Sequence, residues 1–88
     1  MHEPIEKCIV FPNPVKGKAT IELSLTQNTR VKIKVINAQG IEKYASAFAG
    51  KSGTNFQELN LSKLSAGIYM LQLTAGGQVI SKKLVIQN

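Results

Sequence analysis

Few side chains in this sequence are of the types that perform acid–base, nucleophilic or metal chemistry. The 88 residues include one histidine, His2, one cysteine, Cys8, five glutamates and no aspartate. The glutamates, which form no spaced pair, are Glu3, Glu6, Glu22, Glu42 and Glu58. General acid–base catalysis needs a base held beside its partner, and zinc or calcium needs several converging ligands. We therefore expect no catalytic residue, no metal and no cofactor.

The single cysteine lies in an apolar run, Cys8-Ile9-Val10-Phe11. One cysteine cannot form a disulfide within the chain. A reactive thiol needs cationic or imidazole neighbours, whereas a cysteine among apolar residues usually packs as a small hydrophobic side chain. We expect Cys8 to be buried and unreactive.

The basic charge balance is the other chemical signal in the chain. The net charge is +6, from eleven Lys and Arg residues against five Glu residues. An anionic partner such as nucleic acid or lipopolysaccharide is one interpretation. The lysines, however, are spread over alternating segments, where they solubilise a sheet and discourage pairing at its edges. These lysines are Lys32, Lys34, Lys43, Lys63, Lys82 and Lys83. We favour solubilisation, and we expect no nucleic-acid binding because the basic strands lack interleaved aromatic residues.

The elements that carry these residues are predicted to be strands. Apolar and polar residues alternate most clearly at 31–35 and again at 21–25, which is typical of half-buried strands. Turn signals at 37–40, 50–53 and Gly76-Gly77 separate further strands at 41–49, 55–61, 68–74 and 79–86. No window shows a helical stripe. The chain is predicted to be all-β, a single small immunoglobulin-like β-sandwich of about seven antiparallel strands.

The ends of this domain and its aromatic residues can also be predicted. Residues 1–7 show no periodicity, so we interpret them as the remnant of a linker or an added tail and residues 8–88 as the domain. No signal peptide is visible near Met1, and no apolar run approaches the roughly 18 residues of a membrane span. Phe56 is out of phase with Leu59, which predicts a bulge or a late strand start. Tyr44 is expected to be the only exposed ring, with Phe11, Phe48 and Phe56 in the core.

Four motifs occur in order along the chain. Pro12-Asn13-Pro14 with Gly17 comes first, followed by an alternating segment that closes on Gly40. Gly67-Ile68-Tyr69 is third, and Lys82-Lys83-Leu84-Val85-Ile86 is last. In this order and spacing, residues 9–88 resemble the C-terminal sorting domain of type IX secretion cargo, the Por secretion system tail of Bacteroidetes proteins.

The motifs have structural interpretations of their own. Pro12 and Pro14 fix φ and remove two donors, so we expect the chain to leave its first strand sharply there. Gly67 is expected to have a positive φ. Tyr69 is expected in the core with its hydroxyl bonded to a backbone group. Lys82 and Lys83 must project from opposite faces of their strand, so one of them is expected at an edge or rim.

The resemblance implies a function without chemistry in the domain itself. It implies a parent protein that crosses the periplasm, reaches the outer-membrane type IX translocon, and ends on the outer-membrane surface or is secreted. It further implies cleavage before Cys8 by a sortase-like cysteine peptidase, and release of the parent protein or its attachment to anionic lipopolysaccharide. We interpret the terminal strand, Lys82 to Ile86, as the surface that the secretion machinery recognises. A carbohydrate-binding or adhesive accessory module is the alternative.

Overall fold

The computed structural model describes residues 3–88, which form seven β-strands. The strands are β1 (Ile5–Lys16), β2 (Lys18–Leu25), β3 (Thr29–Asn37), β4 (Glu42–Gly50), β5 (Gly53–Asn60), β6 (Gly67–Ala75) and β7 (Gln78–Ile86). These described residues contain no helix that is long and apolar enough to cross a membrane. The all-β prediction is confirmed.

The strands form two sheets that pack face to face. β1, β2 and β5 make the first sheet, which we call sheet A, and β4, β3, β6 and β7 make the second, sheet B. All strand pairs are antiparallel except for one short parallel contact between β1 and β7, and three strands packed on four is the arrangement of immunoglobulin-like sandwiches. The inner faces carry the hydrophobic core: Ile5, Cys8, Val15, Ala19, Ile21, Leu23, Leu25, Val31, Ile33, Val35, Leu59, Leu61, Tyr69, Leu71, Leu73, Ala75, Leu84 and Ile86. The predicted sandwich is therefore confirmed.

β1 belongs to both sheets in turn. Its first part pairs with β2 as far as Phe11, and its last part pairs in parallel with β7 at Val15 and Ile86. The register is interrupted between Phe11 and Lys16, where Pro12 and Pro14 lie. Proline has no N–H to donate to a ladder, so the two prolines occupy the stretch where neither sheet is being paired. They therefore lie within β1, at the change of sheet, rather than at its end as predicted.

β1 also starts earlier than the predicted start of the domain. The strand begins at Ile5, and Ile5 is only 6% exposed, so residue 8 lies inside the strand. A register shift between Ile5 and Lys7 explains why the sequence shows no alternation there, since a bulge changes the face on which successive side chains lie. Met1 and His2, which were predicted to belong to the tail, lie outside the described residues.

The aromatic side chains are arranged differently from the prediction. β5 begins at Gly53 and pairs with β2 in continuous register to Asn60, so neither the bulge nor the late strand start expected at Phe56 occurs in this pair. Phe56 lies instead on the outer face of sheet A, 64% exposed, and Phe11 is 42% exposed. Tyr44 and Phe48 are partly buried and pack against the core. The prediction of Tyr44 as the only exposed ring was wrong, because two of the phenylalanines occupy outward strand positions.

Two hairpin turns were predicted correctly. In the turn after β3, the Asn37 side-chain oxygen accepts hydrogen bonds from the Gln39 and Ile41 amides, at 3.0 and 2.9 Å. Gly40 has a φ of +84°, which favours glycine, and a register shift between Val35 and Ile36 is the expected bulge. Gly76 and Gly77 join β6 to β7.

Candidate recognition site

The predicted recognition strand is only partly accessible. Leu84 and Ile86 of β7 are fully buried in the core, where Leu84 lies opposite Tyr69 of β6. Val85, between them, is half-buried on the outer face of sheet B. A folded domain therefore presents Lys82, Lys83 and part of Val85 to a partner, while Leu84 and Ile86 act by holding β7 in place.

The two lysines project on opposite sides of β7. Lys83 lies opposite Met70, on the outer face of sheet B, whereas Lys82 lies opposite Leu71 and so has the phase of the inner face. Lys82 is nonetheless exposed, because β7 is close to the edge of the sandwich and the side chain reaches its rim beside Cys8. Lys83 thus lies on the outer face of sheet B, and Lys82 lies at the rim, as predicted for one of the two lysines.

Both lysines lack an acidic partner among residues 3–88. The ion pairs of this region of the chain lie elsewhere: Lys7–Glu22 at 3.4 Å, Lys18–Glu58 at 3.8 Å and Lys34–Glu42 at 3.7 Å. Exposed ion pairs of this kind contribute little to stability. The charges of Lys82 and Lys83 therefore remain available to a partner.

Asn13 connects the first motif to the last one. Its side-chain amide donates to the Lys83 carbonyl at 3.3 Å, and its side-chain oxygen accepts from the Val85 amide at 3.1 Å. A carboxamide offers a donor and an acceptor with nearly the geometry of a peptide group. Asn13 thereby takes the place of a neighbouring strand next to β7, so the first and last motifs, far apart in sequence, form one structural unit.

Asn88 fixes the end of β7 to two turns. Its side-chain oxygen accepts from the Gly17 amide at 2.7 Å, and its side-chain nitrogen donates to the carbonyls of Leu61 and Leu64 at 2.7 and 2.8 Å. Gly17 itself has a φ of +78° and accepts from the Leu61 amide at 2.7 Å. The position after the terminal apolar run is therefore a structural anchor.

The third motif also supports this end of the sandwich. Tyr69 is 6% exposed, and its hydroxyl donates to the Ser65 carbonyl at 2.7 Å, as predicted for a core tyrosine bonded to the backbone. Gly67 has a φ of +158°, positive as predicted, in a backbone region that residues with a Cβ rarely adopt. A Cβ at Gly67 would meet only the Tyr69 ring, at 3.9 Å. A substitution at Gly67 is therefore strained by the backbone conformation and not by a clash, and the motif depends on both Gly67 and Tyr69.

A shallow groove of about 270 Å³ lies between β1 and β7, and Lys82 stands at its rim. Its lining residues are Cys8, Ile9, Val10, Asn13, Lys82 and Lys83. Burial raises the pKa of the Cys8 thiol above its ordinary value, and the ammonium group of Lys82 opposes this by lowering it. Because burial is the larger effect, the thiol is protonated at neutral pH and is a poor nucleophile, as predicted.

The comparison with protein families explains why these motifs occur together. The family model described as secretion system C-terminal sorting domain matches residues 9–87, nearly the whole chain. The chain belongs to this family. It is a C-terminal sorting domain of the type IX secretion system.

Solved structures give the same picture of the sorting domain's fold. The crystal structure of dimeric latent PorU from Porphyromonas gingivalis matches with a TM-score of 0.75 and 18% sequence identity. The match covers 90% of the sorting domain and 9% of the PorU chain, so the sorting domain spans about a tenth of that protein. No curated protein matches the chain.

Membership of this family indicates the general role of the domain. Sorting domains of this family are secretion signals and not catalysts, and they direct export through the type IX system toward the cell surface or the exterior. In the described part of the sorting domain, no three potential ligands among His, Cys, Asp and Glu come together.

Sequence reasoning missed three amide side chains of the sorting domain. Asn13 was noted only as part of a turn, and neither Asn88 nor Gln78 was singled out. The available signal was weak: an asparagine or glutamine next to a strand end can bond to backbone, but its partners depend on the tertiary fold. All three are near β7, where its backbone lacks a full partner strand.

Proposed function

We propose that the secretion machinery recognises this domain through the exposed part of β7, namely Lys82, Lys83 and the accessible side of Val85. The observation that carries the proposal is the presence of two exposed cations without an acidic partner among residues 3–88, on a strand that Asn13 and the core hold in place. An ordered strand presents the charges at a defined spacing and so reduces the ordering cost of binding.

In the proposed pathway, the domain passes through the periplasm attached to its parent protein and binds the outer-membrane translocon. A sortase-like cysteine peptidase then cuts the chain on the N-terminal side of the domain. Residues 5–7 belong to β1, and the Ile5 amide donates to the Gln78 side chain at 2.8 Å. We therefore place the cut ahead of Pro4, where it does not break a strand, and we expect the parent protein to be released or joined to anionic lipopolysaccharide.

The test is an export assay with a periplasm-targeted fluorescent protein fused ahead of this chain in a host with a type IX system. The parent fusion should reach the cell surface or the medium. The variant with both Lys82→Ala and Lys83→Ala should fold and yet remain uncleaved in the periplasm. A matched variant, Lys32→Ala with Lys43→Ala, removes two exposed lysines of sheet B and should be exported normally.

Two results would contradict the proposal. Normal export of the Lys82 and Lys83 variant would show that recognition uses another surface. Equal loss of export in both variants would show that the machinery responds to total charge. Circular dichroism of each purified domain must first show that it is folded, since exposed Lys→Ala changes are expected to alter stability by no more than about 0.5 kcal/mol.

The second candidate function is a carbohydrate-binding or adhesive module. The exposed rings of Phe11 and Phe56 on sheet A favour it, because sugar platforms use exposed aromatic faces. Binding of the purified domain to a polysaccharide, lost in Phe56→Ala and retained in the matched variant Thr54→Ala, would support this function.

A further inference from the structure

The edge of β7 has main-chain groups without a protein partner. In a strand, the N–H and C=O of one residue point to the same side, and successive residues alternate. The Lys83 carbonyl and the Val85 amide both bond to Asn13, on the side away from β6. Because β6 and β7 pair without a register shift, the main-chain N–H and C=O groups of Val79 and Ser81 also point away from β6.

No other strand of the described chain pairs with this stretch, although β1 lies beside it. The pairing of β1 with β7 is confined to Val15 and Ile86, near the end of both strands. Among residues 3–88, no hydrogen bond connects the outward main-chain groups of Val79 and Ser81 to the rest of the chain. We call the stretch from Val79 to Lys83 the open edge. It is roughly 15 Å long at the usual rise of a strand.

Side-chain amides limit the open edge at both ends. At one end, the Gln78 side chain accepts from the Ile5 amide at 2.8 Å and donates to the Ile5 carbonyl at 3.4 Å. At the other end, Asn13 occupies the Lys83 carbonyl and the Val85 amide. Because Gln78 and Asn13 occupy the positions at the two ends, an added strand can pair only between them, which restricts its register.

The groove beside the open edge is lined by apolar and by positively charged side chains. Ile9 and Val10 of β1 contribute apolar surface, and Lys82 and Lys83 contribute charge. No acidic residue lines it. An extended segment that lies here would therefore place apolar side chains near Ile80 and Val79 and acidic side chains near the lysines.

We propose that the open edge of β7 binds an extended acidic segment of a partner protein as an added β-strand. This inference rests on the proposed function, because it specifies how a component of the secretion machinery would contact Lys82 and Lys83. Main-chain hydrogen bonds to Val79, Ser81 and Lys83 supply affinity, and the two lysines select acidic side chains.

The other free edges of the sandwich are less suited to this role. β4 and β5 are also edge strands, each without a partner on one side. No pair of side-chain amides limits them at both ends, and each carries an acidic residue, Glu42 on β4 and Glu58 on β5. Glu42 and Glu58 are paired with Lys34 and Lys18, so neither edge presents two adjacent lysines without an acidic partner, as the open edge of β7 does.

The inference can be tested with two synthetic peptides and the 88-residue chain. The first peptide, capped at both ends, is Thr-Glu-Glu-Thr-Val-Val-Thr, which places two acids opposite Lys83 and Lys82 in an antiparallel register. The second has Lys in place of both Glu residues. Isothermal titration calorimetry should show binding of the acidic peptide about tenfold tighter than that of the basic one. Amide hydrogen exchange should slow at Val79, Ser81 and Lys83.

Two substitutions of Ser81 separate the backbone from the side chain. Ser81→Pro removes the outward N–H without affecting the side of β7 that pairs with β6, and proline is tolerated on edge strands. Ser81→Ala removes the hydroxyl and keeps the N–H. Affinity for the acidic peptide should fall about tenfold in Ser81→Pro and stay within about twofold in Ser81→Ala. Should Ser81→Pro fail to fold, the double variant Lys82→Glu with Lys83→Glu should instead prefer the basic peptide.

Several results would overturn the inference. The first is that the acidic peptide does not bind at about 1 mM. The second is that it binds folded Ser81→Pro as tightly as the unchanged domain. The third is that the variant with Lys82→Glu and Lys83→Glu still prefers the acidic peptide. The export assay separates the two proposals. If Ser81→Pro is exported and the lysine double-alanine variant is not, strand addition is refuted, whereas recognition through the lysines is supported. If the acidic peptide binds at the open edge but Ser81→Pro and the lysine double-alanine variant are both exported normally, the open edge is a binding site that has no role in recognition for export.

Discussion

Asn88 provides the sharpest test of how the end of the chain stabilises the sandwich. We expect Asn88→Ala to lower the free energy of unfolding, because three hydrogen bonds of the side chain are lost together. They join β7 to the Gly17 turn and to the carbonyls of Leu61 and Leu64, at 2.7 to 2.8 Å. A hydrogen bond contributes about 1 kcal/mol on average, which sets an upper value of about 3 kcal/mol.

The exposure of this site reduces the expected loss. Asn88 is exposed, so water can satisfy part of what the side chain leaves unpaired, and we expect a loss of about 1–2 kcal/mol. In a domain of this size, 1 kcal/mol changes the melting temperature by about 4–8 °C. The melting temperature of Asn88→Ala should therefore fall by about 5–15 °C.

The assay is thermal and denaturant unfolding of the purified domain, followed by circular dichroism. Gln87→Ala is the matched control, since the Gln87 main-chain amide, which donates to the Val15 carbonyl at 2.8 Å, is unaffected by the substitution. Asn88→Asp keeps the acceptor for Gly17 and loses both donors, so its loss should lie near that of Asn88→Ala. A change below about 0.3 kcal/mol for Asn88→Ala would refute the anchoring role.

Three further predictions test other parts of the structure with single substitutions. Gly17→Ala and Gly67→Ala should each destabilise by about 1 kcal/mol, because φ values of +78° and +158° strain any residue with a Cβ. Unchanged midpoints of both variants in denaturant melts would contradict this. Tyr69→Phe should cost about 1–2 kcal/mol, since the Ser65 carbonyl loses its 2.7 Å donor, and an unchanged midpoint would show that water replaces it. The raised pKa of Cys8 contributes stability that is complete below the ordinary thiol pKa and is lost as pH rises through the raised value. Cys8→Ala should remove this loss of stability at alkaline pH. Alkylation of Cys8 by iodoacetamide in the native domain should be slow at neutral pH, and slower still in Lys82→Ala. Rapid alkylation at neutral pH would contradict the prediction, because it would show an accessible thiolate.

The parts of the fold that are predictable from sequence depend on local pattern. Residues 31–35 alternate over a full strand, and the turns at 37–40 and Gly76-Gly77 have residues that suit positive φ, so β3 and both hairpins were predicted correctly. Phe56 was misplaced because an aromatic residue was assumed to be buried, whereas the outer face of a sheet in a small domain retains much apolar surface. Tertiary pairing decides the rest. The change of sheet within β1 and the bonds of Asn13, Gln78 and Asn88 join residues far apart in sequence, which no local pattern reveals.

The pairing of β7 with the end of β1 has a consequence for synthesis of the parent protein. Asn13 and Lys83, seventy positions apart, bond to each other, and the core that Leu84 and Ile86 complete lies between the two sheets. During translation, a chain that stops before Leu84 has neither a closed sandwich nor a stable β7. We therefore expect a parent protein that is truncated before Leu84 to lack a folded sorting domain, and we expect export to be restricted to chains translated through this segment.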